Sequence, residues 1–126
     1  MRSLVLVLVL APSLAFAQSP EGNWRTQPSD TGAYLHVRIA PCAGGQGTLC
    51  GVITQAHGAS REDLPGQVII RDMVQDGDRW TGGTVWAPDD DRTYRAGMRR
   101  EGSGLVVEGC VLGGAICRGQ TWTVLE

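Results

Sequence analysis

Short runs of alternating apolar and polar residues fill the chain from Gly22 to Leu125, cut roughly every 8–12 positions by glycine, proline or aspartate. That rhythm predicts an all-β sandwich or barrel. The clearest run is Ala33 to Ile39, where Ala33, Leu35, Val37 and Ile39 point one way and Tyr34, His36 and Arg38 the other. The same pattern predicts strands over Gly22–Gln27, Cys50–His57, Val68–Val74, Arg79–Trp86, Arg92–Arg100, Leu105–Val111 and Ala115–Leu125. Gly82-Gly83, inside the fifth, predicts a bulge or sharp bend. The long polar connection Gly58–Gln67 admits a short helical turn over Arg61–Leu64.

Eight strands in succession with short connections predict an antiparallel up-and-down meander. An open meander leaves unpaired edges, and closure into a barrel removes them. About eight strands give an interior that side chains nearly fill or that holds one small ligand.

The first 17 residues have a different pattern. Arg2 precedes the uncharged Leu/Val run Leu4–Leu10, and Ala15-Phe16-Ala17 has the form of a cleavage site. The apolar run is too short to span a bilayer of about 30 Å. Residues 1–17 therefore read as a secretory signal peptide and 18–126 as one exported domain, periplasmic or secreted, with no membrane-spanning segment after cleavage. The four cysteines fit that compartment. They admit three pairings. Cys42–Cys50 and Cys110–Cys117 are favoured because each closes a short glycine-bearing loop, making two stapled hairpins. Structural zinc is the alternative, but its ligand pairs are usually spaced more closely.

Eleven basic residues stand against thirteen acidic ones, and every basic residue is arginine. Loss of Arg2 makes the balance one unit more negative. A weakly acidic surface argues against nucleic acid and anionic lipid as partners.

Gly22-Asn23-Trp24 resembles the Gly-any-Trp hallmark of lipocalins and related calycin barrels. The resemblance implies that Trp24 closes the barrel floor under an arginine of the last strand, here Arg118. Further along come Cys50-Gly51-Val52-Ile53, Trp80-Thr81-Gly82-Gly83, Pro88-Asp89-Asp90, Tyr94 and Cys117-Arg118-Gly119-Gln120-Thr121-Trp122-Thr123. In this order they resemble the bacterial family called domain of unknown function 2147, over nearly the whole mature chain. That resemblance implies a small exported protein with an eight-stranded, lipocalin-like (calycin) barrel, and no activity. The family tends to place glycine where this chain has Asp91, and a longer loop between the third and fourth strands.

Candidate chemistry is sparse. His36 lies on the polar phase of a strand and His57 ends one; neither has a nucleophile nearby in sequence, and no nucleophile elbow occurs. No catalytic residue, metal ligand or cofactor is expected. Asp89, Asp90 and Asp91 read as turn formers rather than as calcium ligands. Arg95, Arg99 and Arg100 read as an exposed basic face with Glu108 as cross-strand partner. Trp80, Trp86, Tyr94, Met98 and Trp122 are the candidates for lining a ligand cavity, or for filling the barrel. In simple alternation Trp80, Gly82, Thr84 and Trp86 share a face, unless the bulge breaks the phase. Two readings stand: non-catalytic binding of a small apolar molecule in the barrel, and a filled barrel serving as a cell-envelope interaction module through its outer face or the Gly58–Gln67 loop.

Overall fold

The computed structural model describes residues 3–7 and 19–126. Of the segment read as a leader, Leu4 to Val7 are exposed, and the predicted cleavage site lies outside the described residues. Among the described residues no helix is long and apolar enough to cross a membrane.

The strands are β1 (Gly22–Arg25), β2 (Tyr34–Pro41), β3 (Leu49–His57), β4 (Val68–Asp76), β5 (Arg79–Thr81), β6 (Thr84–Ala87), β7 (Arg92–Glu101), β8 (Gly104–Val111) and β9 (Ile116–Val124). Successive strands pair antiparallel apart from β5 and β6, which do not pair with each other, and β1 pairs with β9, so the sheet closes on itself. β5 and β6 are two halves of one wall strand, since both lie between β4 and β7. The result is a closed eight-stranded up-and-down barrel, in which β9 joins β1 only through Thr123 and Val124.

The break between β5 and β6 has a steric cause. A Cβ on Gly83 would sit 1.9 Å from the Arg71 carbonyl oxygen. Only glycine lets the two backbones approach so closely. Opposite it, Asp72 takes a φ of 57° and bulges β4.

The alternating pattern decides which face is inside. Val37, Ile39, Leu49, Ile53, Ile70, Met73, Met98, Leu105, Val107 and Trp122 are buried and form one core cluster with Trp24. On β2 the alternation holds without a break. The register slip between β2 and β3 is absorbed by Thr54, an extra residue on β3. The Gly58–Gln67 connection forms no helical turn over Arg61–Leu64. Instead Leu64 is drawn into the core, and a turn closes with the Gln67 N–H donating to the Leu64 carbonyl at 3.1 Å. Pro65 in that turn opposes helical continuation, since the residue before proline is pushed toward extended backbone.

Both stapled hairpins are present. Cys42 bonds Cys50 and Cys110 bonds Cys117, and the described residues include no free cysteine. With the sulfurs joined, none is left as a thiolate for zinc.

Candidate functional site

The barrel has two unlike ends. At one lie residues 19–22, the 42–48 hairpin and the turns after β4 and β7. Here Trp24 is 1% exposed and forms the floor. Gly22 precedes it with φ 140°, a left-handed region costly for any side chain, and so turns the incoming chain across the barrel base. The Trp24 indole N–H donates to the Pro20 carbonyl at 2.8 Å. Burying about 200 Å² of indole at ~25 cal/mol per Å² is worth about 5 kcal/mol before ordering costs.

The guanidinium over that indole belongs to Arg100, 5.0 Å from the ring centroid, and not to Arg118. Arg100 also donates to the Gly104 and Ser19 carbonyls, which ties the floor to the β7–β8 turn and to the incoming chain. Arg118 pairs with Gly109 far up β9 and is exposed. The reason is register: Val124, not Arg118, is the β9 residue beside Trp24.

The opposite end carries residues 26–33, 58–67, 88–91 and the 112–115 tip. Paired residues of neighbouring strands share a face. Leu105, Val107, Gly109 and Val111 of β8 therefore set Trp122, Gln120, Arg118 and Ile116 of β9 on the inner face. Trp122 is 2% exposed, whereas Gln120, Arg118 and Ile116 are all exposed. The outward residues Cys117, Gly119 and Thr121 are exposed too, and β9 pairs with β1 only at Thr123 and Val124, so beyond Trp122 the strand meets water on both faces. Trp122 donates its indole N–H to Gln120 at 3.2 Å, bridging the packed and exposed zones.

Of the five aromatic and Met positions proposed for a cavity, four lie in the core cluster or pack against it, Tyr94 being the exception. Met98 and Trp122 are core residues. Trp80, opposite Met98, packs against the core with its indole nitrogen buried and without a partner among the described residues. Tyr94, on the inner face opposite Val85, turns its hydroxyl to Asp90, donating at 2.7 Å. That hydrogen bond, with some burial, raises the phenol's pKa and keeps it protonated. Trp86 faces outward, because the Gly82-Gly83 break shifts the phase by one residue and turns Val85 inward instead.

Outside the wall, Trp86 sits in an open groove of about 450 Å³ with Arg61, Gln67, Val68, Arg71, Asp91 and Thr93. Its indole N–H donates to Asp91 at 2.8 Å, and the Arg61 guanidinium lies 5.4 Å from its ring. Arg61 in turn pairs with Asp63 at 2.8 Å, which lowers the Asp63 carboxyl chiefly through the hydrogen bond. Asp91 has φ 53°, a left-handed turn position that aspartate tolerates better than most side chains. Asp90 and Asp91 are thus engaged by Tyr94 and Trp86. Of the arginines assigned to a basic face, Arg99 does meet Glu108 at 3.6 Å, joined by Arg79 at 3.5 Å. Arg100 leaves that face for the floor. Among the described residues no hydroxyl is hydrogen-bonded to either histidine ring.

Residues 22–124 match the family of uncharacterised proteins conserved in bacteria known as DUF2147. The chain belongs to this family. A solved structure from Helicobacter pylori, the protein HP1028, described as belonging to the lipocalin family, superposes with a TM-score of 0.67. The alignment covers 84% of this chain and 82% of that one at 15% identity, so the likeness extends to the fold alone. No curated protein matches the chain. The fold of this family member is thus a lipocalin-like β-barrel, with the Gly22-Asn23-Trp24 segment at its closed end.

Proposed function

We propose that this protein is an exported, non-catalytic binding protein that takes one small, mostly apolar molecule at the open end of its barrel. The observation that carries the reading is the divided inner face of β9, with Trp122 packed and Gln120, Arg118 and Ile116 in water. An apolar guest there meets Ile116 and Val111, with Trp122 beneath it as the base of the site. Gln120 and Arg118 offer donors to a polar end of the guest, as suits pockets that are mostly apolar with a few polar groups. The two disulfides and the leader-like residues 1–17 support an oxidising compartment outside the cytoplasm.

Titration of the delipidated protein with palmitate and with an anilinonaphthalene dye, followed by tryptophan emission, tests this. Saturable binding at one site, weakened by Ile116→Asp, is expected. No saturable response to either probe overturns it. A second reading, the envelope interaction module, is favoured by Leu64, which the Gly58–Gln67 loop inserts into the core, leaving Arg61 and Trp86 facing outward beside it. Pull-down of an envelope protein lost in Trp86→Ala, with no small-molecule response, supports that reading.

A further inference from the structure

The chain has only two histidines, and the pairing of β2 with β3 brings them together. His36 stands opposite Gln55 and His57 opposite Tyr34, so the histidines are diagonal neighbours on the outward face of the wall. Their ring centroids are 4.9 Å apart with planes at 49°. Two imidazoles sharing one ion at about 2.0–2.1 Å, with an N–metal–N angle of roughly 90–110°, have centroids about 4.5–5.2 Å apart. The observed separation falls inside that window with no rearrangement of the strands.

The surroundings set the ring orientations. Tyr34 stacks on His57 at 4.8 Å and 19°, and the Arg25 guanidinium covers Tyr34 at 4.7 Å. His57 Nε2 lies 3.0 Å from Gln55 Oε1. Metal-bound histidines commonly engage such an outer-shell partner through the ring nitrogen that does not face the ion.

We propose that His36 and His57 form a two-imidazole site on the outer wall of the barrel for a divalent transition metal ion. Imidazole donors without a neighbouring carboxylate select copper, nickel or zinc over calcium or magnesium. Copper ranks first among them in intrinsic affinity. The remaining coordination positions face solvent and are left to water. Arg25 opposes a bound cation and sets a ceiling on affinity.

Calorimetric titration of the purified protein with Cu²⁺ and Zn²⁺ tests the site. The expected result is one ion per chain, Cu²⁺ tighter than Zn²⁺, with roughly tenfold or greater loss in His36→Gln and in His57→Gln. Arg25→Gln is expected to tighten binding. Titrations unchanged by either histidine substitution overturn the proposal, as does the absence of binding. Ring-proton NMR of the unsubstituted protein gives a check that needs no variant. Substoichiometric Cu²⁺ should broaden both histidines together, and broadening of one alone overturns the shared site.

Discussion

The two ends of this barrel divide the labour. The floor joins Trp24, Arg100, Pro20 and Ser19 through an indole, a guanidinium and three carbonyl hydrogen bonds, around a fully buried ring. The mouth has inward-facing side chains that touch solvent, and its ordering comes from short polar links such as Trp86–Asp91 and Tyr94–Asp90. One closed sheet thus carries a tightly packed end and an end held by exposed polar links. The contrast teaches that Trp24 serves the folding of this barrel, and that the far rim is held by lighter, more exposed contacts.

Substitutions can break that contrast, and the largest effect belongs at the floor. Trp24→Ala should cost about 3–5 kcal/mol, since it removes a fully buried aromatic. Urea unfolding measures it, and a loss under 1 kcal/mol makes the floor dispensable. Removing one staple, by Cys42→Ala with Cys50→Ala or by Cys110→Ala with Cys117→Ala, should cost about 2.5 kcal/mol from the short loop it closes. Each variant should still melt cooperatively. A non-cooperative melt shows that the core cannot hold the barrel alone.

The arginine assignment gives the sharpest internal comparison. Arg100→Ala should cost about 2 kcal/mol, from the lost indole contact and two charged hydrogen bonds. Arg118→Ala, at an exposed position, should stay within about 0.5 kcal/mol. Equal losses refute the assignment of the floor to Arg100. Smaller still is the turn effect. Asp91→Ala should cost about 1 kcal/mol, because alanine keeps the strained φ of 53° and loses the Trp86 partner. Asp91→Gly should recover part of that loss, since glycine relieves the backbone though not the hydrogen bond.

Strand positions were legible because alternation and turn residues are local signals. The predicted runs Ala33–Ile39, Cys50–His57 and Leu105–Val111 each fall within two residues of β2, β3 and β8 at either end. The stapled hairpins were legible for the same reason. What failed depended on register. Gly82-Gly83 announced a break, but only the pairing with β7 shows that the phase shifts and sends Trp86 outward. Arg100 and Arg118 are alike in sequence, and choosing between them needs to know which end of each strand reaches Trp24. The His36–His57 contact is of the same kind. Each histidine alone looks like a solvated strand residue, and the pair exists only through the bulge that shifts β3 against β2.

The pairing of β1 with β9 has a further consequence. The Leu125 N–H donates to the Asn23 carbonyl, so the first and last strands of the described barrel meet side by side at the plugged base. Anything attached before Ser19 or after Glu126, whether a tether, a tag or a second domain, pulls on the sealed end. A molecule anchored by either tail would hold its rim pointing away from the anchor, free to meet whatever diffuses past.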